Sequence, residues 1–422
     1  MNDQSASEPV PPHRSELSLE YVSNDQMEQY NRAVAAGFHA EFHSEDFEVE
    51  RELFDPKRSI GFTSGGRWVS SALTMPRRMT VPGGSVGTAA VTAVTVAPGY
   101  RRRGLLTQMM KRQLTDVAAG GEPLSLLWAT ESLIYGRFGY GQVTRKLTLS
   151  GLTREMDFLP EVDLGRGSAD EVDQDQFLAA VGPLRESILP DRPGQLNRDP
   201  LWWRVTLYDP ERHRDGAGPL RYLLHFSESG EPDGFATFRT KRNSSLTDLG
   251  GEVIIGDLDA DNPAAYAGLW RWLLDLDLIR AFSKHTAPTD EPLLQLVANP
   301  RMITAKLNDA TYARIVDVPA ALSARSYACE VDLVLEVVDA FLPEVGGRFR
   351  LSGGPDAASA ERTDRSPDLT VTARQLAAIY LGGTSARDFS RAGLLVEHAP
   401  GAVRRATTAF GSDRAAFCHD FF

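Results

Sequence analysis

The stretch Val94-Thr95-Val96-Ala97-Pro98-Gly99-Tyr100-Arg101-Arg102-Arg103-Gly104-Leu105-Leu106 carries the clearest chemistry in the chain. A β-branched strand runs into a loop of arginines and glycines, and that loop opens a helix. A helix start presents unpaired backbone N–H groups and a partial positive charge. A glycine lets backbone approach an anion closely. Arginines add bidentate, charge-assisted contacts. Together these residue types suit a diphosphate. There is no G-x-x-x-x-G-K-[ST], which excludes a P-loop NTPase, and no G-x-G-x-x-G, which argues against a dinucleotide fold. Taken alone, Arg-x-x-Gly also fits an arginine-rich surface turn before an ordinary helix.

The second segment is Glu131-Ser132-Leu133-Ile134-Tyr135-Gly136-Arg137-Phe138-Gly139-Tyr140-Gly141. Its closely spaced glycines impose a tight, irregular path that can present a phenol. Tyr135 and Tyr140 are both candidates for that role, and either also fits a core tyrosine closing a turn. The acidic run Glu41, Glu45, Asp46, Glu48, Glu50 and Glu52 suits a polyamine, or simply a solvated face. His39, His43 and His419 do not form a ligand set, so no metal is expected.

These segments need elements to hold them. A strand is expected at 17–22 and an amphipathic helix at 25–42, where Met27, Tyr30, Val34 and Phe38 recur at helical spacing. Strands at 60–62 and 68–75 flank Ser64-Gly65-Gly66, a hairpin signal. A turn at Val81-Pro82-Gly83-Gly84 precedes a strand at 89–96. A helix at 104–119 ends at Gly120-Gly121. A buried strand at 124–128 follows, and a further strand at 143–149 completes the first part. The strands ending at Val96 and Trp128 should form a short parallel pair.

Residues 160–305 look like a weak echo of this order. A helix near 173–181 precedes Trp202-Trp203. Strands are expected at 222–226, 235–239 and 253–258, a helix at 263–279 and an apolar stretch at 293–297. After Leu258, Asp259-Ala260-Asp261-Asn262-Pro263 has neither glycine nor arginine, and its two aspartates would repel phosphate. Further on, strands are expected at 313–318, 329–338, 348–351 and 369–372, helices at 373–381 and 402–410, and a loop over 352–366.

The 422 residues correspond to two or three domains at about 150 residues each. A composition 42 % hydrophobic and 24 % charged supplies real cores and rules out a collagen, a disulfide scaffold or a wholly disordered chain. No apolar run reaches the ~18 residues of a membrane span, and no signal peptide is apparent. Cys329 and Cys418 carry no motif spacing and fit a reducing cytoplasm. The net charge of −12 argues against nucleic acid as a partner and is compatible with a cationic substrate.

Strand, Val-x-Pro, Arg-x-x-Gly and helix in this order resemble the GNAT acetyltransferase superfamily, with Leu106 standing where Gly or Ala is usual. Ala-Val-Thr-Ala-Val-Thr-Val-Ala-Pro, then Arg-Arg-Arg-Gly-Leu-Leu, then Ile-Tyr-Gly-Arg-Phe-Gly-Tyr-Gly is similar to the enhanced intracellular survival (Eis) family of aminoglycoside N-acetyltransferases. Val318-Pro319-Ala320-Ala321-Leu322-Ser323-Ala324-Arg325-Ser326-Tyr327 resembles the start of that family's C-terminal domain. The resemblance implies a mixed α/β chain with two GNAT-like domains in tandem, followed by a sterol carrier protein-like α/β domain. The corresponding boundaries are a disordered tail at 1–16 and domains at 17–155, 156–308 (the degenerate copy) and 309–422.

The same resemblance assigns roles. Acetyl-CoA would be held by Val94, Thr95 and Val96, by Arg101, Arg102, Arg103, Gly104, Leu105, Leu106 and Thr107, and by Thr130 and Glu131. Tyr135 would be the general acid, and the α-carboxylate of the C-terminal Phe422 the general base. Phe38, Glu41, Trp128 and Asp420 would meet the acceptor, an amine of an aminoglycoside, a polyamine or a protein lysine. A cytoplasmic homohexamer is implied. The alternative is a noncatalytic acyl-CoA- or lipid-binding protein that uses its C-terminal domain as a carrier.

Overall fold

A computed structural model describes residues 16–242 and 250–422. The expected tail at 1–16 lies outside them, apart from the exposed Glu16. The chain forms two compact units. One runs to Thr74 and includes Ala93–Gln113; the other is Met75–Thr92 with Leu114–Phe422.

In the first unit, strand Leu17–Tyr21 pairs antiparallel with Ser59–Ser64. Ser59–Ser64 turns back into Arg67–Trp68 through the expected glycine hairpin. It also meets strand Ser70–Val81, Ser59 opposite Leu73 and Ile60 opposite Ala72. Helix Met27–Gly37 ends sooner than its apolar spacing suggested, with Phe38 as cap. It lies on this sheet through Tyr30, whose buried hydroxyl donates to the carbonyls of Ile60 and Ala72 and accepts from the Ala72 N–H at 2.9 Å. A phenol inserted between two strands fixes the helix as well as the strand pairing. Leu105 and Met109, on the first turns of helix Leu105–Ala119, pack on Ile60, Phe62, Val69 and Ala72.

In the second unit, the early part of strand Gly84–Val96 pairs parallel with Leu124–Trp128, from Thr88↔Leu124 to Val91↔Leu127. This is the expected parallel element. Leu124–Trp128 pairs on its other side with Thr311–Ile315, which in turn pairs with Gly141–Gln142. A second sheet has the spatial order Thr304–Asp309, Arg145–Leu152, Ile279–Ala287, Gly251–Ala260, Pro232–Arg242, Arg221–Phe226, Ser168–Val172. A third has Ala358–Arg362, Gly347–Gly353, Val331–Val338, Leu369–Thr372 and Val396–Glu397.

These pairings cut across a division read along the chain. The strand expected with the first 150 residues runs Arg145–Leu152 and lies in the second sheet, between Ile279–Ala287 and Thr304–Asp309. Thr311–Ile315, only two residues after Thr304–Asp309, returns to the sheet of Leu124–Trp128. Arg145–Leu152 alternates in the ordinary way and Thr311–Ile315 is buried throughout, and neither pattern tells which sheet the strand joins. Two further expectations fail locally. The helix at 263–279 stops at Leu274; Leu278 adopts φ 63° and Ile279 starts a strand. The apolar residues of 269–279 therefore serve two elements. The loop expected over 352–366 contains strand Ala358–Arg362, polar on its outer face because it is an edge.

The core of the C-terminal region is continuous with Leu124, Leu126, Ala313 and Ile315 of the strands before it. Helix Ala373–Ile379 sits so close to Gly141 that a Cβ there would lie 2.1 Å from the Arg374 carbonyl oxygen and 2.7 Å from the Ala378 nitrogen. Gly141→Ala must push a backbone aside in a packed core. It is expected to cost roughly 1–3 kcal/mol, read as a lower urea midpoint with unchanged slope; an unchanged midpoint would show that the helix yields freely.

Candidate active site

The Arg101–Gly104 loop belongs to the first unit. Ala93 adopts φ 54°, a kink inside strand Gly84–Val96. Beyond it Ser71 Oγ donates to the Ala93 carbonyl at 2.6 Å and lies 2.7 Å from Thr95 Oγ1, while the Ala97 N–H reaches Val69. Val94, Thr95 and Val96 are thus fixed from one side. After Pro98–Tyr100 the loop takes left-handed conformations at Arg102, φ 62°, and Gly104, φ 79°. A Cβ at Gly104 would come only within ordinary contact of the Gln108 side chain, at 4.0 Å, so its conformation, and not crowding, calls for glycine. Alternation of this kind turns successive N–H groups to one side and makes an anion-binding concavity. Glycine also offers no side-chain acceptor to the first turn of Leu105–Ala119. Arg101 Nε donates to the Val96 carbonyl at 3.2 Å and Arg103 Nη2 to that of Gly99 at 2.9 Å, so two guanidinium groups brace the loop. Arg101, Arg102, Arg103, Gly104 and Thr107 are exposed, Leu106 is half-buried, and Leu105 is a core residue.

Phe38 and Glu41 lie in the segment between Met27–Gly37 and Ser44–Glu50, both exposed. Within the acidic run Glu48 pairs with Arg51 at 2.9 Å, and on the preceding helix Glu28 pairs with Arg32 at 2.7 Å. Burial beside Asp46 raises the Glu50 carboxyl.

The second unit holds the remaining predicted residues. Strand Leu124–Trp128 ends at Trp128; Thr130 and Glu131 are exposed on the following turn, and helix Ser132–Tyr135 places Tyr135 inward. The two tyrosines left open by the sequence separate here. Tyr140 is fully buried, with its hydroxyl 2.7 Å from Ser125 Oγ. Tyr135 packs edge-on against Tyr140 at 5.9 Å and keeps 9 % exposure. Burial, reinforced by Glu131, pushes the Tyr135 phenol up to about 12. Tyr140 is a structural group, whereas Tyr135 sits at the boundary between core and solvent.

The chain end is held firmly. Trp128 Nε1 donates to the Asp420 carbonyl at 2.8 Å, and the Trp128 ring meets Phe421 at 5.4 Å. Phe422 packs on the core of the C-terminal region, while Phe421 is 78 % exposed. Asp420 is buried. Its carboxylate takes Arg198 Nε at 2.7 Å and Arg185 Nη2 at 3.0 Å, with Arg77 Nη2 at 3.6 Å. Burial pushes this carboxyl up, but the three arginines outweigh it and hold it below its ordinary value. Both Asp420 oxygens thus face arginines of the protein itself. Arg198 also clasps Asp257, which accepts from His419 Nδ1 at 2.5 Å. Arg77, Arg185, Arg198 and Asp257 were not legible as site residues. The one available signal was an aspartate inside the apolar strand run 253–258. Among the described residues no cluster could hold a metal ion, and no helix is long and apolar enough to cross a membrane.

Comparison with known proteins agrees with this architecture. Residues 18–143 and 194–315 each match an acetyltransferase (GNAT) domain family, and residues 318–419 match a sterol carrier protein domain family. An uncharacterized N-acetyltransferase of Streptomyces coelicolor is 42 % identical over 88 % of this chain and 91 % of its own. N-acetyltransferase Eis of Mycobacterium tuberculosis is 35 % identical over 84 % of this chain and 85 % of its own. The crystal structure of Eis1 from Mycobacterium abscessus superimposes with a TM-score of 0.82 at 30 % identity, covering 96 % of this chain and all of that one.

Removing the Tyr140 hydroxyl strands the buried Ser125 hydroxyl. Tyr140→Phe is expected to lower stability by about 1–3 kcal/mol, seen as a lower melting temperature. An unshifted melt would mean that Ser125 finds another partner.

Proposed function

The chain belongs to the Eis family of GNAT N-acetyltransferases, and on that premise we propose that it transfers acetyl from acetyl-CoA to amines of aminoglycosides or related polyamines. The observation that carries the reading is the loop at 101–104, with its left-handed Arg102 and Gly104 opening a helix that has no side-chain cap at Gly104. These residues fit a diphosphate. In this proposal Arg101, Arg102, Arg103 and Gly104, with the N–H groups of Leu105, Leu106 and Thr107, hold the pyrophosphate. The backbone of Val94, Thr95 and Val96 pairs with the pantetheine arm as an added strand would. Thr130 and Glu131 flank it. Bound acetyl-CoA supplies an acetyl group already activated as a thioester.

The chain's own groups manage the protons. Tyr135 donates a hydrogen bond from its hydroxyl to the sulfur as negative charge develops there. The α-carboxylate of Phe422 takes the proton from the attacking amine nitrogen. The family resemblance assigns Phe38, Glu41 and Trp128 to the acceptor, with Glu41 supplying charge that attracts a polycation. Asp420 is reassigned from substrate contact to support of the chain end. We retain the domain division at 155/156 and 308/309 for the bulk of each part, with the two strands noted above exchanged. We also retain the homohexamer and the cytoplasmic setting; two unpaired cysteines, Cys329 and Cys418, are consistent with the latter. The reading as a noncatalytic carrier is set aside by membership of an acetyltransferase family.

Tyr135→Phe keeps the ring that packs on Tyr140 and removes only the hydroxyl. Turnover is expected to fall about 10²–10⁴-fold while acetyl-CoA affinity, measured by calorimetry, and melting temperature stay unchanged. With its pKa near 12, the phenol stays protonated through neutral pH, so wild type should show no basic limb from this group below about pH 11. Silent Tyr135→Phe beside damaging Tyr140→Phe at equal stability would reverse the assignment.

A short C-terminal tag converts the Phe422 carboxylate into an amide, which cannot accept the proton. Acetylation of an aminoglycoside panel, followed by mass spectrometry, is expected to be lost while the melt is retained. An N-terminal tag is expected to be harmless. A fully active C-terminally tagged enzyme would reject the carboxylate as base.

A further inference from the structure

The second sheet repeats the order strand, loop, helix, parallel strand. Gly251–Ala260, Pro263–Leu274 and Ile279–Ala287 stand where Gly84–Val96, Leu105–Ala119 and Leu124–Trp128 stand in the first copy. In both copies the parallel ladder stops partway, at Val91↔Leu127 in one and Ile255↔Lys284 in the other. Residues 92–96 and 256–260 run on beyond it. In the first copy that stretch leads to the anion loop. In the second the loop has lost its anion chemistry: Pro263 has no N–H, and Asn262 itself caps the helix by accepting the Ala265 N–H at 2.8 Å.

The corresponding place in the second copy is not a closed core. A cavity of about 360 Å³ lies there, lined on one side by Asp257, Leu258, Asp259 and Pro263. Its other wall is the chain's own end, through Arg414, Phe417 and His419. That end is fastened along its length. The Ala415 N–H donates to Asp290 at 3.0 Å and the Ala415 carbonyl accepts from Arg192 at 2.7 Å. The Phe417 N–H donates to the Pro193 carbonyl at 3.0 Å. His419 meets Asp257 at 2.5 Å, and Arg198 joins Asp257 to Asp420, with 2.7 Å on the Asp420 side. Every one of these partners comes from the second copy.

We propose that the second GNAT copy has exchanged cofactor binding for docking of the chain's own C-terminal segment, with Arg198 and Asp257 as positioning residues for the terminal carboxylate. The inference rests on the reading of Phe422 as base. Asp420 is two residues from that carboxylate, a span of at most about 7 Å. Fixing the Asp420 side chain by three guanidinium groups and its carbonyl by Trp128 leaves little freedom beyond it. The sites that hold the tail and the atom that reacts are thus coupled through a very short length of chain. Neither Arg198 nor Asp257 touches substrate in this scheme; each acts through Asp420.

Three variants test the proposal: Asp257→Asn, which keeps the shape, Arg198→Ala, and Arg198→Lys as the conservative rescue. Each is assayed well below its own melting temperature, and where Arg198→Ala does not fold, Asp257→Asn carries the test. Two readouts are taken: kcat with the KM for acetyl-CoA, and the rate at which carboxypeptidase A releases phenylalanine. Asp257→Asn and Arg198→Ala are expected to lose about 10–10²-fold in kcat, the scale of a displacement near 1 Å. Their KM for acetyl-CoA stays within about twofold, they release phenylalanine faster than wild type, and Arg198→Lys recovers part of the loss. Full kcat in a variant whose tail is released faster would overturn the proposal, as would unchanged release in both. Inactivation by a C-terminal tag together with silent Arg198 and Asp257 variants would overturn docking alone and leave the base in place. An active tagged enzyme would remove the base, and this proposal with it.

Discussion

Arg198 stands between two buried carboxylates, Asp257 and Asp420, and the arrangement of the whole second unit converges on that contact. The guanidinium is 2 % exposed and stacks 4.7 Å over the Trp203 ring. Asp257 comes from strand Gly251–Ala260, Asp420 from the chain end, and Trp128, which binds the Asp420 carbonyl, from the strand next to Thr311–Ile315. One cation therefore ties together segments more than two hundred residues apart. Buried ion pairs often add little net stability, because desolvation offsets their attraction. Their consequence is directional: with every partner removed from water, no other geometry satisfies the charges. Burial acts against both aspartates, yet Arg198 with His419 at Asp257, and the arginines at Asp420, hold both below their ordinary pKa. Such lowered carboxyls contribute stability that is present above their unfolded pKa of about 3.9 and is lost as pH falls through the folded value.

The two GNAT copies show how little must change to turn one supersecondary unit to another task. Both retain the parallel strand pair and the crossing helix. In the first, Gly104 at the helix start gives the backbone a left-handed conformation and no competing side chain. In the second, Asn262 satisfies the first turn internally, Pro263 removes an N–H, and Asp259 and Asp261 make the loop repellent to phosphate. Asp259 is held above its usual pKa by burial, against the pull of Arg192, Arg414 and Arg185. Those arginines answer carboxylates of the protein itself: Arg414 binds Asp191, and Arg192 binds Asp290. Charge that would face a nucleotide in the first copy is matched internally in the second.

The legible parts of this protein are the local ones. The strand, Val-x-Pro and Arg-x-x-Gly sequence is contiguous, so the loop and its helix could be read from neighbours in the chain. The same holds for the hairpin at Ser64-Gly65-Gly66 and the glycine-rich segment after Trp128. What was hidden depends on long-range pairing. Nothing in 145–152, which alternates, or in 311–315, which is buried throughout, names the sheet it joins; only the partners do. The surroundings of Asp420 were hidden for a similar reason. An aspartate near a chain end reads as exposed until Arg77, Arg185 and Arg198 are brought round it. The contact of the Tyr140 hydroxyl with Ser125 was hidden as well, because a strand buried on both faces does not disclose which side chain meets its lone hydroxyl.

The acid–base arithmetic explains why placement of the chain end matters so much. A phenol near 12 facing a thiol near 8.5 is a poor donor of a whole proton; transfer to completion costs about 5 kcal/mol at 1.36 kcal/mol per unit. In the proposed scheme Tyr135 would therefore act best while it keeps its proton, as a hydrogen-bond donor to charge growing on sulfur. A carboxylate with an ordinary pKa of about 3.3–3.7 is likewise a poor base toward a free ammonium. It becomes competent only as the N–C bond forms and the nitrogen turns acidic, which requires it to be within reach at that moment. Neither group is chemically strong at neutral pH. What such a pair can contribute is being in the right place, and proximity of that kind accounts for several orders of magnitude in well-oriented reactions. A base on the last residue of a chain is ordinarily the least well-placed group in a protein, because termini fray. Here Phe422 packs on the core, Trp128 holds the residue two before it, and three arginines hold that residue's side chain. In the proposed scheme a weak base at a chain end is workable only if the end is held as rigidly as a strand, and the buried cluster around Asp420 supplies contacts suited to that.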